Sequence, residues 1–231
     1  MSSQDEIKNL LSKLNKVIFG KKNEIELITT VLLAEGHVLI EDVPGTGKTV
    51  LAKAISTALG LGFKRVQMTP DLLPSDLTGS TVMKPDRSGF DFSEGPLFSS
   101  VVLADEINRA SPKTLSAMLE AMEEKQITVD GTTRILPEPF LVIATQNPVE
   151  HEGVFQLPYA QLDRFAAKVT LGYVDQETEV DILSSQNENH PLEGLKSEVD
   201  SKKVQTYIQN ARAVHISDPV QKYIVEIVRE T

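Results

Sequence analysis

Residues 37–49 constrain this chain more than any other segment. An apolar run, His37-Val-Leu-Ile40, leads into Glu41-Asp-Val-Pro-Gly-Thr-Gly-Lys-Thr49, and Val50-Leu-Ala-Lys-Ala-Ile-Ser56 follows at once. A strand that ends in Gly-Thr-Gly-Lys-Thr and turns straight into a helix is a cradle for the phosphates of a nucleoside triphosphate. Glycines let backbone N–H groups approach the phosphate oxygens, Lys48 reaches the β and γ oxygens, and the Thr49 hydroxyl ligates Mg2+. The helix opening at Thr49 adds the positive end of its dipole. Pro44, Gly45, Thr46, Gly47 and Val50 complete the expected binding stretch. The full motif has a glycine where this chain has Asp42, so the segment taken alone also reads as a flexible Gly/Pro turn.

A second segment narrows the choice. Val101-Val-Leu-Ala-Asp105-Glu106 is a continuous apolar run ending in two carboxylates, the pattern of a central parallel strand buried on both faces. Carboxylates at the C-terminal end of such a strand stand at the sheet edge where open α/β folds bind ligands. Asp105 would hold Mg2+, directly or through water, and Glu106 would orient and deprotonate the attacking water. An Asp-Glu pair capping a turn is the bland alternative. Phe140-Leu-Val-Ile-Ala-Thr-Gln-Asn147 is a third strand of this type. Asn147 would hydrogen-bond the γ-phosphate or the lytic water, or simply begin an Asn-Pro turn. Arg164, in Gln161-Leu-Asp-Arg-Phe165, is either an ion-pair partner or an arginine finger that stabilises charge on the transferring phosphoryl group.

The order of these motifs resembles the MoxR branch of the AAA+ ATPases, across nearly the whole chain. Gly36 to Thr49 looks like that branch's Walker A, where an acidic residue at the first glycine position is unremarkable. Leu103-Ala-Asp-Glu-Ile-Asn-Arg-Ala110, followed by Ser-Pro-Lys-Thr114 and Leu119 to Glu124, looks like its Walker B strand and next helix. Ala144 to Pro148, then Gly153 through Leu157 to Phe165, is similar to its sensor 1 and arginine-finger segments. The resemblance implies ATP and Mg2+ as cofactors and an AAA+ αβα P-loop sandwich assembled into a ring, usually a hexamer. It makes Asn147 sensor 1 and Arg164 the finger acting on a neighbour's nucleotide. Val17, Ile18 and Gly20, in Val17-Ile-Phe-Gly20, fall where the family packs the adenine. Arg109 is either a second contact across the subunit boundary or the partner of an acidic neighbour. A partner bearing a von Willebrand factor type A domain and a protein client are further implications, and the activity implied is chaperone-like remodelling.

Composition excludes other classes. With 231 residues, 40% of them hydrophobic, the chain can bury a substantial core. A formal charge of −10 and no run of Lys/Arg with interleaved aromatics argue against nucleic acid, and so against a DNA-remodelling motor. A nucleotide-dependent scaffold or switch with negligible hydrolysis is the other alternative. Cysteine is absent, so disulfides and thiolate metal sites are excluded. No apolar stretch has transmembrane length and the polar start is not a signal peptide, so a cytoplasmic protein without membrane insertion is expected. His37, His151, His190 and His215 show no ligand spacing, and structural or loop roles are expected for all four.

Five strands suggest themselves, near residues 37–42, 63–68, 101–106, 140–146 and 165–171, separated by helices such as 49–59 and 112–124. Alternation of this kind predicts a parallel α/β sheet. Ser3 with Glu6 forms a capping-box pattern ahead of Ile7, Leu10, Leu11 and Leu14, and residues 23–34 read as a second helix closed by Gly36. Asp130-Gly131 signals a two-residue hairpin between residues 126–129 and 132–135. A second hairpin is expected from Leu77 to Phe92, turning near Lys84 to Gly89 and placing Phe90 and Phe92 on one face. The family resemblance puts both hairpins at a ring pore, where they would grip or nudge a client. The ATPase core is expected over residues 1–173. After Gly172 the pattern becomes helical: Asp175 and Glu177 start one helix, Val204, Tyr207, Ile208 and Ala211 mark another, and Ser217-Asp-Pro219 starts a third. Because the resemblance implies a further stretch with a sensor 2 arginine, residues 174–231 are expected to form an incomplete helical lid. Its apolar face would lack a partner, giving a loosely packed C-terminus or reduced solubility.

Overall fold

The computed structural model describes residues 3–148, 157–185, 192, 194–197 and 199–230. His151, His190 and the Gly153 end of the expected finger segment lie outside the described residues. The chain opens with α1 (Ser3–Val17) and α2 (Lys22–Leu33), then β1 (Val38–Glu41), α3 (Lys48–Ala58) and β2 (Phe63–Gln67). A short α4 (Pro74–Thr78) precedes the hairpin β3 (Gly79–Met83) and β4 (Phe90–Glu94). Then come β5 (Val101–Asp105), α5 (Pro112–Glu124), the hairpin β6 (Gln126–Val129) and β7 (Thr132–Ile135), and β8 (Leu141–Gln146). The chain continues through α6 (Tyr159–Leu162), β9 (Ala167–Val169), α7 (Gln176–Ser185), α8 (Ser201–Arg212) and α9 (Asp218–Glu230).

Among the described residues, five strands form one all-parallel sheet in the order β2-β5-β8-β1-β9. The period-2 alternation of each strand explains the two cores. Val38, Ile40, Leu103 and Ile143 face one way, onto α1, α2 and α3. Leu39, Val102, Ala104 and Val142 face the other, onto Leu115, Met118, Leu119 and Met122 of α5. Residues such as Ile40, Leu103 and Ile143 are fully buried, each stabilising the fold by about 1.5–3 kcal/mol relative to exposure. Layers on both faces make the αβα sandwich, and the register aligns Glu41 with Gln146 and Gln67 with Asp105. The C-terminal ends of four strands therefore share one edge.

Turn chemistry locates the hairpins. Asp130 and Gly131 both take positive φ, 52° and 73°, as a two-residue hairpin loop matched to strand twist requires. In the other hairpin the ladder starts at Gly79, not at Leu77. Pro74 stands at the first turn of α4, and the Asp76 carboxylate accepts the Leu73 N–H at 2.8 Å, so Leu77 is helical and fully buried. Gly79, at φ 84°, is the point where the chain can leave that helix: a Cβ there would lie 2.2 Å from the Ser93 carbonyl oxygen. The two hairpins touch through Thr81, whose hydroxyl donates to Asp130 at 2.6 Å, and through Arg134, stacked 3.7 Å over the Phe92 ring.

The expectation that the C-terminal apolar face lacks a partner is corrected for α8. Val204 and Ile208 are buried in the same cluster as α1 and α2, and Tyr207, also buried, donates to Glu6 at 3.0 Å, although Ala211 is exposed. Val220, Tyr223, Ile224, Ile227 and Val228 of α9 are all exposed.

Candidate nucleotide site

The loop between β1 and α3 is built around two glycines in left-handed conformation, Gly45 at φ 87° and Gly47 at φ 85°. A Cβ at either position would meet nothing within 4 Å, so both face open space. Lys48 folds back on the loop, donating to the carbonyl oxygens of Val43 at 2.6 Å and Asp42 at 3.2 Å. Gly47 immediately precedes α3, whose free N–H groups point out of its first turn.

Pro44, Gly45, Gly47, Lys48, Thr49, Val50, Asp105, Glu106 and Asn147 all line one cavity of about 400 Å³ at the sheet edge. A second cavity of about 310 Å³ shares the loop: Gly45, Thr46, Gly47 and Val50 line it together with Val17 and Ile18. Gly20 is not part of either lining. At φ 69° it turns the chain under Val174 and Thr178, and a Cβ there would come within 2.8 Å of Val174. Arg164 lines neither cavity: its guanidinium pairs with Glu123 of α5 at 2.9 Å and donates to the Ala160 carbonyl oxygen at 2.9 Å.

The two carboxylates of β5 are held by different partners. Asp105 accepts from the Thr145 hydroxyl through Oδ1 at 2.5 Å and from Arg65 through Oδ2 at 2.6 Å. Glu106 is a non-glycine residue at φ 57°, a conformation that costs on the order of 1–3 kcal/mol and aims its side chain into the cavity mouth. Its backbone N–H donates to Thr145 at 2.9 Å, and its Oε2 accepts from Gln67 at 2.5 Å and Arg109 at 2.8 Å. Arg109 thus sits on an acidic neighbour. The hydroxyl of Thr49 and the carboxylate of Asp105 are hard oxygen donors, the set that suits Mg2+. Among the described residues there is no group of three His, Asp or Glu side chains arranged to hold a metal alone.

Three features were not legible in the sequence. Asp42 is buried, and its carboxylate accepts the N–H groups of Val43 at 2.8 Å, Leu171 at 2.9 Å and Gly172 at 2.7 Å. Lys21, also buried, donates to the carbonyl oxygens of Leu171 and Gly172. A buried anion and a buried cation therefore clamp the same dipeptide, fixing the loop base to the segment that leads into α7. Arg65 and Gln67 form the third feature; their i, i+2 spacing on an edge strand beside β5 was the available signal. His37 has the structural role expected. Its Nδ1 accepts the Val142 N–H at 3.1 Å, so Nε2 carries the proton toward the Met122 carbonyl oxygen at 3.1 Å. Burial pushes its pKa down to about 4, against the raising effect of the Met122 bond and with a smaller lowering by Lys125.

A five-stranded parallel sheet with a Gly-Thr-Gly-Lys-Thr loop after β1 and two carboxylates at the end of β5, the strand beyond β8, defines an AAA+ type ATPase core. Comparison with known proteins agrees. A model of the ATPase family associated with various cellular activities matches residues 37–167, more than half of the chain. The protein YeaC of Bacillus subtilis, of uncharacterised function, is 48% identical over 100% of this chain and 73% of its own length. The chaperone MoxR1 of Mycobacterium tuberculosis is 43% identical over 77% of this chain; the match covers 47% of its own length, so the chain spans under half of that relative. A crystal structure of a candidate ATPase from Cytophaga hutchinsonii superposes with a TM-score of 0.88 at 41% identity, covering 98% of this chain and 68% of the other. The chain belongs to the MoxR family of AAA+ ATPases.

Proposed function

We propose that this chain binds ATP with Mg2+, hydrolyses it to ADP and phosphate, and works in a ring, usually hexameric in the family, to remodel or mature client proteins. The observation that carries the reading is the convergence of Lys48, Thr49, Asp105, Glu106 and Asn147 on one cavity at the end of four parallel strands. In this reading Lys48 and the loop N–H groups hold the β and γ phosphates, and Thr49 and Asp105 hold the metal. Bound Mg2+ would neutralise charge on the phosphate oxygens. Glu106 takes the proton of the attacking water, and Asn147 orients that water or the γ-phosphate. The smaller cavity beside Val17 and Ile18 receives the base, with Gly20 shaping the turn behind it. Residues 1–173 serve as the ATPase core and 174–231 as part of a helical lid.

Arg164 fits a role in trans, because it is held on α5 and lines neither cavity of its own protomer. The exposed Met83, Phe90 and Ile135 on the two hairpins suit contact with a client polypeptide. A partner with a von Willebrand factor type A domain follows from the family resemblance; no described helix is long and apolar enough to cross a membrane. The test is phosphate release from ATP over a wide protein-concentration series, with Arg164→Ala alongside. Specific activity should climb with concentration and collapse in the variant. Activity independent of concentration, or unaffected by the substitution, would overturn the ring with a finger in trans.

One observation favours a second reading, a nucleotide-dependent switch with negligible hydrolysis: the Glu106 carboxylate is already engaged by Gln67 and Arg109. ATP affinity without phosphate release at the highest concentrations would favour it.

A further inference from the structure

Arg65 has no role in the scheme above. Alternation along β2 puts Arg65 and Gln67 on the same side of the strand, and the parallel register sets Gln67 beside Asp105. The guanidinium grips Asp105 Oδ2 with both Nη2, at 2.6 Å, and Nε, at 3.2 Å. The same Nη2 donates to Gln67 Oε1 at 3.2 Å. With its oxygen turned to Arg65, the Gln67 amide presents its nitrogen to Glu106 Oε2 at 2.5 Å. The side chain of Arg65 lines the cavity that also holds Lys48 and Thr49.

The two oxygens of Asp105 are thus unequally held. Oδ1 is bound by Thr145, which is buried on the adjacent strand. Oδ2 is bound by an arginine side chain that is 49% exposed. An ion pair with so exposed a cation contributes little, because water screens it and the long side chain loses entropy in keeping it. A divalent cation at the same oxygen carries twice the charge and meets no such entropic cost.

We infer that Arg65 is a built-in counter-cation of the metal site: it holds Asp105 Oδ2 before nucleotide arrives and must leave that oxygen for Mg2+ to enter. Arg65 is a positioning residue that sets the Mg2+ requirement of nucleotide binding. Its departure also removes the hydrogen bond that fixes the Gln67 amide against Glu106, so entry of the metal loosens one of the two restraints on that carboxylate. The inference rests on the nucleotide site proposed above and specifies how its metal is admitted.

The test is binding of a fluorescent ADP derivative, followed by anisotropy, to the full chain at fixed nucleotide concentration across a Mg2+ series and in EDTA. Arg65→Ala and Arg65→Gln are measured beside the native protein, with circular dichroism melts to show that at least one is folded. The expected result is a Mg2+ midpoint about threefold lower in the variants, the upper part of what an exposed charge pair supplies, with affinity in EDTA unchanged. An unchanged midpoint overturns the inference. Affinity that falls equally in Mg2+ and in EDTA also overturns it, because Arg65 would then be a phosphate ligand. If the native protein binds no nucleotide under any condition, the site reading itself fails, which separates that failure from failure of the counter-cation.

Discussion

Acidification should weaken this fold through His37. The imidazole is 4% exposed, edge-on to Phe140, and is held in its neutral form by one donor and one acceptor. Adding a proton at Nδ1 would set an N–H against the Val142 N–H and leave a charge without water. The folded protein therefore titrates this group at about 4, against 6.5 for the ordinary side chain. Between those values the unfolded chain binds the extra proton and the folded chain does not, so stability is full above pH 6.5 and falls as pH drops toward 4. At 1.36 kcal/mol per pH unit of separation, the complete effect is about 3 kcal/mol, and moving from pH 7.5 to 5.0 loses about 2 kcal/mol of it. For a chain of this size that is a Tm drop of about 4–8 °C. Carboxylates with depressed pKa, such as Glu41 beside Lys168, add losses in the same direction mainly below 4.5, so pH 5.0 isolates the histidine reasonably well. Thermal or urea denaturation at the two pH values, at constant ionic strength, measures the difference. His37→Gln keeps an acceptor for Val142 and a donor for Met122 but cannot charge, so it should lose most of the pH dependence. A native protein whose stability changes by less than about 0.5 kcal/mol over this range, or a variant that keeps the full dependence, would refute the argument.

Glu106→Gln should reduce ATP turnover by about 10²–10⁴-fold while leaving ATP affinity close to native, since only water activation is lost; single-turnover phosphate release with a parallel binding assay separates the two. Lys48→Ala should instead raise the Kd for nucleotide, and equal affinity in the two variants would contradict the roles assigned. Asp42→Ala removes a carboxylate that accepts three backbone N–H groups, two of them in Leu171 and Gly172, and should cost about 1.5–3 kcal/mol in urea denaturation. In hydrogen exchange, the amides of Val204 to Ile208 should be protected to near the global stability, while those of α9, whose apolar residues are exposed, should exchange far sooner. Uniform protection from 204 to 229 would contradict that contrast.

What could be read from the sequence was local and periodic. The three inner strands β1, β5 and β8 were visible as short apolar runs because each is buried on both faces, whereas β2 and β9 at the sheet edges are partly exposed; the helices were visible in their 3.6-residue spacing. Ser before Pro at 111–112 is a helix-start pattern, and the Ser111 hydroxyl accepts the Thr114 N–H at 3.3 Å. Lys48, Thr49, Asp105 and Glu106 could be grouped because each ends a strand or opens a helix, and parallel strands bring such ends to one edge whatever the loops between them do. The start of β3 was misplaced because Leu77 fits a strand or a helix equally well until Asp76 caps the turn before it.

The rest depended on partners distant in the chain. Asp42 looked like a departure from a glycine motif; only the fold brings Leu171 and Gly172 against it, with Lys21 on their carbonyls. Arg65 was one charge on an edge strand until the register set its strand beside Asp105. The fate of α8 was likewise undecided, because an amphipathic helix announces that it must bury one face but not against what, and here α1 and α2 supply the surface. Backbone period and turn chemistry act over a few residues and so are written in the sequence itself. Which oxygen a guanidinium holds, and which carboxylate is held back, depends on distances between strands, and those exist only once the sheet has formed.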